Sequence, residues 1–165
     1  MKDVKGVAVG IVREIDAANG AVKVDFPWLN PPQRSNWAPI ATLMSGNKRG
    51  AYFMPEVDDE VLVAFEHGDL EHPFVVGFLW NGADAPPTVE RRMRVIHSVN
   101  GHEIALYDAE ESGGDRGFIR IKDAHGNSIE LANGRLSITS VGSLQIKAPN
   151  VVINGRLVAP IGPPI

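Results

Sequence analysis

The residues best suited to chemistry in this chain are four clustered carboxylates, Glu56, Asp58, Asp59 and Glu60. Paired carboxylates act as a general acid and base only where a cleft perturbs their pKa values, and the surrounding sequence indicates no cleft. Asp and Glu are also frequent in turns, where their side chains hydrogen-bond to nearby backbone groups. We therefore predict a solvated turn here and another in the acidic segment 108–115. No catalytic residue is predicted, and the chain is expected not to be an enzyme.

Metal binding by histidine is the second candidate chemistry. The chain has five histidines, and no two of them are two or four positions apart, as paired metal ligands often are. There is no cysteine to supply thiolates or disulfides. His97 alternates in phase with Val95 and Val99, so in a threefold assembly three copies could meet on the axis, and an axial ion there remains open. No metal-binding or cofactor-binding residue is otherwise predicted.

Base stacking on aromatic side chains is the third candidate chemistry. Five aromatic residues could serve: Trp28, Trp37, Tyr52, Phe53 and Trp80. The net charge of −4, from 16 basic and 20 acidic residues, argues against a phosphate-binding surface. The aromatic residues are therefore assigned to a barrel core or a subunit interface, and no nucleic-acid partner is expected. A barrel that binds single-stranded nucleic acid or a glycan, with a β-rich appendage, is the alternative function.

The elements that would carry these residues are all β-strands. Seventeen glycines and twelve prolines are scattered along the chain and disfavour long helices, although a short helical turn is possible near 45–51. Five apolar strands separated by turns predict a barrel over residues 1–80, with Asn19-Gly20 as a hairpin turn. The predicted filling is Val22, Val24, Phe26, Val61, Val63, Phe65, Val75, Phe78 and Trp80. A polar linker is predicted over 81–94, and a needle-like segment over 95–165.

The needle segment alternates apolar and polar residues in short strands between Phe118 and Ile153. A single sheet buries these inward side chains on one face at best, and it leaves its strand edges unpaired. A single chain therefore falls short, and the pattern predicts an intertwined homo-oligomer, most simply a trimer. The pattern places Leu136 and Val151 on the inward side as well, and the residues predicted to line its axis are Ile119, Ile121, Ile129, Leu131, Ile138, Leu144, Ile146 and Ile153.

Specific motifs relate the chain to a known family. The segment PEVDDEVLVAFEHGDLEHPFVVG, with SNWAPIATLM before it, resembles the N-terminal barrel of contractile-tail spike proteins. These include the bacteriophage baseplate spike and assembly protein and the spikes of type VI secretion and extracellular injection systems. The segments NGHEIALYD, GFIRIKDAHGNSIELAN and ITSVGSLQIKA resemble the needle of the same family. The resemblance implies an OB-fold barrel followed by an intertwined triple-stranded β-helix in a homotrimer.

The resemblance also implies a mechanical function and a set of partners. The trimer would be the central spike of a contractile injection apparatus, attached to a baseplate hub protein at its barrel end. It would puncture the outer membrane of the target cell when the sheath contracts. A small tip protein of the PAAR type would bind the C-terminus, with Leu157, Val158, Ile161 and Ile165 as contacts.

Two features found in some relatives are not carried over. The linker leaves no room for a lysozyme domain, and the His-x-His motif that holds an iron ion near the C-terminus is missing. The start of the chain lacks the apolar stretch of a signal peptide, so synthesis in the cytoplasm and assembly into a phage tail or phage-like particle are expected. The resemblance does not distinguish these contexts or identify the target cell.

Overall fold

The computed structural model describes residues 6–110 and 113–158 and divides the chain into two compact units, Met1–Pro86 and Pro87–Ile165. The boundary between the units falls inside the segment predicted as a linker. Apart from one 3₁₀ turn, Glu66–Gly68, the regular elements of the described residues are β-strands. The predicted all-β class is therefore confirmed. The described residues contain no helix long and apolar enough to cross a membrane.

The first unit is a closed five-stranded barrel with three short additional strands. Its strands are β1 (Val7–Asp16), β2 (Ala21–Phe26), β3 (Gln33–Arg34), β4 (Ala38–Pro39), β5 (Ser45–Gly46), β6 (Arg49–Gly50), β7 (Glu60–Phe65) and β8 (Pro73–Phe78). The main sheet has the order β3-β2-β1-β7-β8, and β4 also pairs with β2. Ile40, next to β4, bridges to Val75 of β8, and the Ala41 amide donates to the Val75 carbonyl at 2.8 Å. This last contact closes the barrel.

The barrel core follows the alternation of its strands. Seven of the nine residues predicted to fill it are buried: Val22, Val24, Phe26, Val61, Val63, Phe65 and Val75. The prediction was wrong for Phe78 and Trp80, which are 48% and 70% exposed. The register shift between Leu62 and Val63 places Phe78 opposite the buried Val61, but Phe78 is the last residue of β8 and the core does not cover its ring, and Trp80 lies beyond the strand. Val12, Leu29 and Ala38 complete the core and were not predicted.

The segment from Ala41 to Met54 leaves the barrel as a hairpin, which we call the arm. The helical turn predicted within it was wrong, because β5 and β6 pair there as antiparallel strands. Lys48 and Gly50 have φ angles of +55° and +148°, which an α-helix does not accommodate. The hairpin is closed at its base by the Ala51 amide, which donates to the Met44 carbonyl at 3.0 Å.

The second unit contains a five-stranded antiparallel meander. Its strands are β9 (Met93–His97), β10 (Glu103–Tyr107), β11 (Phe118–Lys122), β12 (Ser128–Ala132) and β13 (Arg135–Thr139), in that spatial order. Asn133 and Gly134 form the tight turn from β12 to β13 with φ angles of +47° and +77°, as a two-residue hairpin requires. Gly117 precedes β11 with a φ of +86°, and a Cβ atom there would lie 1.8 Å from the Tyr107 carbonyl oxygen.

The described C-terminal part forms a separate small hairpin, β14 (Val152–Ile153) and β15 (Arg156–Leu157). The Val158 amide closes it by donating to the Val151 carbonyl at 2.7 Å. The strand expected over 143–148 is not formed, although its residues alternate as predicted. A strand needs a hydrogen-bonding partner, and the described residues of the single chain supply none to this segment.

Candidate functional site

One face of the five-stranded sheet in the second unit is apolar and exposed, and we call it the aliphatic face. Residues paired directly across neighbouring strands share a face, and the pairing aligns Ile96, Ile104, Ile121, Ile129 and Ile138 in one row. A parallel row contains Leu106, Ile119, Leu131 and Leu136. Each of these nine side chains is between 42% and 62% exposed. A face of this size without a covering layer is typical of a protein–protein interface.

The structure places the predicted axis residues in three groups. Five of them belong to the aliphatic face: Ile119, Ile121, Ile129, Leu131 and Ile138. Leu144 and Ile146 lie in the segment without a strand and are 59% and 66% exposed, and Ile153 lies on β14. Sequence reasoning omitted Ile96, Ile104 and Leu106, although the alternation in EIALY and MRVIH could have identified them.

His97 does not lie on the aliphatic face. Its neighbour Ile96 pairs with Ile104 in the isoleucine row, so His97 and Val95 point to the opposite side of β9. The possibility of three His97 side chains on an axis lined by the isoleucines therefore has no support from the strand pairing. Val95 and Ile96 lie in opposite phases on β9, and only Ile96 belongs to the aliphatic face.

The opposite face of the sheet is polar, and its charged side chains form ion pairs with one another within the chain. Arg120 donates from Nη2 to Glu103 Oε1 at 3.0 Å, and its Nη1 lies 3.9 Å from Glu130 Oε2. Its guanidinium carbon lies 4.5 Å from the centroid of the Phe118 ring, a cation–π geometry. Ala105, which pairs with Arg120 across the strands, is fully buried. This face is thus largely covered and neutralised by its own side chains.

Turn carboxylates hold the ends of these strands. Asp115 Oδ1 accepts from the Gly117 amide at 2.8 Å and from Asn133 Nδ2 at 2.9 Å, and these bonds lower the pKa of Asp115. Asp123 accepts from the side chain and backbone of Asn127, and its pKa is lowered mainly by the side-chain bond. Both carboxylates are used as turn anchors, as the sequence predicted for the acidic segment that contains Asp115.

The predicted tip contacts lie only partly within the described residues. Leu157 on β15 is 59% exposed, and Val158 is 50% exposed. The hairpin of β14 and β15 thus presents an apolar surface around them, with Val152 58% exposed on the paired strand. Ile161 and Ile165 lie outside the described residues.

The carboxylates of the first unit form the solvated turn that was predicted. Asp59 Oδ2 accepts from the Glu56 amide at 2.8 Å, and Asp58 pairs with Arg13. His72 Nδ1 lies 3.1 Å from Asp69 Oδ2, and the Glu71 amide and His72 together lower the pKa of Asp69. Across residues 6–110 and 113–158, no group of three or more His, Cys, Asp or Glu side chains could hold a metal ion.

One side of the barrel carries a network of ion pairs, formed by β1, β2 and β3. Arg34 donates to Asp25 at 2.7 Å and to Glu14 at 2.9 Å, and Lys23 also donates to Glu14 at 3.0 Å. Arg34, and to a smaller degree Arg13, holds the pKa of Asp25 below its ordinary value. These five charges on β1, β2 and β3 are therefore compensated within the barrel.

The five aromatic residues discussed above are not in the barrel core, so that part of the prediction was wrong. Their exposed fractions run from 43% to 70%, for Trp37, Trp28, Phe53, Tyr52 and Trp80 in rising order. Trp28 Nε1 donates to the Val9 carbonyl at 3.0 Å, and Lys23 Nζ lies 4.7 Å from the centroid of the Trp37 ring. Each of these two indoles is thus anchored to a different part of the barrel.

Comparisons with known proteins agree with the barrel geometry. Residues 8–80 match the family described as type VI secretion system/phage-baseplate injector OB domain. The actin cross-linking toxin VgrG1 of Vibrio cholerae is 30% identical over 91 residues, which are 52% of this chain and 8% of that protein. The type VI secretion system spike protein VgrG3 of the same species is 32% identical over 72 residues, 41% of this chain and 7% of that protein. VgrG5, a spike protein of Pseudomonas aeruginosa, is 29% identical over 113 residues, 65% of this chain and 13% of that protein.

The aligned segments therefore cover only 7% to 13% of the length of each relative. The family match coincides with the closed barrel, from β1 to just beyond β8. The match to VgrG5 is longer than the barrel alone. On these grounds residues 8–80 are similar to the injector OB domain of type VI secretion systems and phage baseplates, and the chain is similar to part of the type VI secretion spike proteins.

Proposed function

We propose that three copies of this chain assemble into the central spike of a contractile injection apparatus. The observation that carries the proposal is the aliphatic face, nine Ile and Leu side chains in two rows on five consecutive strands, all of them partly exposed in the single chain. Packing three such faces around a common axis removes them from water. The second unit would then form the needle, an intertwined triple-stranded β-helix.

The segment 143–150 supports the same assembly. Its residues are exposed and alternate like a strand, yet they have no strand partner among the described residues of the chain. A neighbouring copy would supply the missing backbone hydrogen bonds, because β13, the strand that precedes this segment, is an edge of the meander. Leu144 and Ile146 would extend the axial core beyond the aliphatic face, and Ile153 would follow them on β14.

The two ends of the spike would bind different partners. We assign the barrel to a baseplate hub protein, because the matched injector OB domain is defined by that class of assembly. We assign the C-terminal end to a small tip protein of the PAAR type, with Leu157, Val158, Ile161 and Ile165 as contacts. The exposed apolar surface of the β14–β15 hairpin supports this assignment. The target would be the outer membrane of another cell, punctured on sheath contraction.

A mechanical function needs no catalytic group, and we propose that the chain is not an enzyme and has no cofactor. Its clustered carboxylates are used in turns and ion pairs. Nucleic-acid binding by the barrel is the less supported function, since Arg13, Lys23 and Arg34 are each paired with a carboxylate. The barrel therefore offers few free cations for phosphates.

The mass in solution tests the proposal. We expect light scattering on the full chain to give about three times 17.8 kDa at micromolar concentration, with a species that resists detergent at room temperature. A monomer with salt-dependent affinity for oligonucleotides would instead support the alternative function and refute the spike.

A further inference from the structure

The barrel has a second exposed surface, formed by outward residues of β1, β7 and β8. Val7 pairs with Ala64, which pairs with Phe74, and Val9 pairs with Leu62, which pairs with Gly77. We call the surface of these six residues the apolar wall. Val7, Val9 and Phe74 are 56%, 42% and 38% exposed, and none of the six residues is charged.

The arm is a second apolar feature of the same unit, and it carries a basic tip. Leu43 is 96% exposed and Met44 is 56% exposed, and every residue from 41 to 50 is exposed. Lys48 and Arg49 lie at the tip, and residues 41–54 contain no acidic residue. Thr42 Oγ1 donates to the Ala51 carbonyl at 2.6 Å, and Ala41 is bonded to Val75 of the barrel, so the arm leaves the barrel in a fixed direction.

The turn between β7 and β8 has the opposite charge. Glu66, Asp69 and Glu71 lie in it, and it borders the end of the apolar wall where Ala64 pairs with Phe74. The turn is rigid, because the Glu66 amide donates to the His72 carbonyl at 2.9 Å and the Asp69 amide donates to the Glu66 carbonyl at 2.9 Å. Among the described residues, Lys48, Arg49 and Glu66 form no ion pair within the chain.

We propose that the arm of one copy lies on the apolar wall of the next copy, with its basic tip against the acidic turn. Leu43 and Met44 would cover the wall, and the unpaired charges of the tip and the turn would neutralise each other. Because arm and wall are different surfaces, the contact is head-to-tail, and such a contact closes into a ring when the rotation between copies permits it. The inference rests on the proposed trimer and adds a second interface to it, between barrels.

Disulfide cross-linking tests this contact directly, since the chain has no cysteine of its own. The double variant Asn47→Cys/Glu66→Cys places one thiol at the arm tip and one on the acidic turn, and the two single variants are the controls. Under mild oxidation we expect covalent dimers and trimers on a non-reducing gel for the double variant only. Cross-linking of either single variant would indicate a symmetric contact and would overturn the head-to-tail arrangement.

Light scattering on the same samples separates this inference from the proposed function. A trimer that gives no cross-link shows that the arm does not reach the neighbouring turn, and the inference fails while the spike remains. A monomer refutes the spike and the arm contact together. A cross-linked trimer supports both.

Charge reversal tests the proposed attraction between the basic arm tip and the acidic turn. In the double-cysteine background, Lys48→Glu/Arg49→Glu is expected to slow cross-linking about tenfold, because exposed ion pairs are lost and like charges face each other. Adding Glu71→Lys should recover part of the rate. The control Arg91→Glu/Lys122→Glu changes the net charge equally at exposed positions outside the arm. Equal slowing by both double reversals would contradict a specific contact.

Discussion

Replacing Ile121 by asparagine separates assembly from the folding of the single chain. Ile121 lies in the middle of the isoleucine row on the central strand β11, and it is 51% exposed before assembly. Its neighbour Lys122 is exposed and points to the other face of the same strand. The pair Ile121→Asn and Lys122→Asn therefore changes the same strand to the same residue on opposite faces.

The loss of assembly free energy caused by Ile121→Asn follows from the part of the side chain that assembly would cover. Full burial of an isoleucine side chain contributes about 1.5–3 kcal/mol, so covering its exposed half contributes about 1 kcal/mol per chain. An asparagine amide buried without partners costs about 1–3 kcal/mol more. The sum of about 2–4 kcal/mol per chain gives about 6–12 kcal/mol per trimer. The midpoint concentration of a trimer varies as the square root of its dissociation constant, so it rises about 100-fold to 10⁴-fold.

The assay is refolding from urea over a series of protein concentrations, with the mass measured by light scattering after equilibration. We expect Ile121→Asn to remain monomeric at concentrations where the native chain and Lys122→Asn are trimeric. Assembly of Ile121→Asn at the native concentration would refute an axis lined by the aliphatic face. Greater loss of assembly with Lys122→Asn would show that the polar face is the interface.

Three further predictions follow from individual contacts. Gly117→Ala should lower the melting temperature more than Gly114→Ala. Both glycines have positive φ angles, but only at Gly117 would an added Cβ collide with the Tyr107 carbonyl. Equal melting temperatures of the two variants would exclude a steric contribution at Gly117. Arg34 lowers the pKa of Asp25 below its ordinary value of 3.8. The ionised Asp25 therefore stabilises the folded chain above about pH 4, and this stabilisation is lost as the pH falls through the lower pKa of the folded state. Acid unfolding of Asp25→Asn should accordingly show a weaker pH dependence below about pH 4 than the native chain, and an unchanged curve would contradict the pairing. Truncation after Asn154, and Leu157→Asp, should abolish co-purification of the tip protein, whereas Arg156→Asp beside it should not; binding by all variants would exclude the β14–β15 hairpin as the contact.

The sequence predicted the parts of the fold that depend on local alternation within long strands. Val22, Val24 and Phe26 alternate without interruption in β2, and all three are buried as expected. Phe78 was assigned wrongly because it is the last residue of β8 and stays half exposed, and a one-dimensional pattern does not show where the core ends. The arm was mistaken for a helical turn because β5 and β6 are only two residues each and exist through their mutual pairing.

The aliphatic face could likewise be predicted from the sequence only where its strands alternate regularly. Alternation identified Ile119, Ile121, Ile129, Leu131 and Ile138 as members of one face, because the strands that carry them are regular. It did not fix the orientation of His97, since Val95 and Ile96 offer apolar residues in both phases and only the pairing with Ile104 decides between them. The segment 143–148 shows the remaining limit, since its pattern indicates a strand whose partner the described chain does not contain.

The polar face of the meander indicates which side of the sheet would be buried in an assembly. Arg120 is already paired with Glu103 and Glu130 and lies against Phe118, so most of the charge on that face is compensated within the chain. Turning it toward a threefold axis would bury three such clusters, and removing ions from water costs several kcal/mol for each ion even when they are paired. Turning the aliphatic face inward buries only side chains that gain from leaving water. The ion pairs of Arg120 make it costly to turn the polar face toward the axis. The apolar rows make it favourable to turn the aliphatic face there, so both features select the same orientation of the sheet.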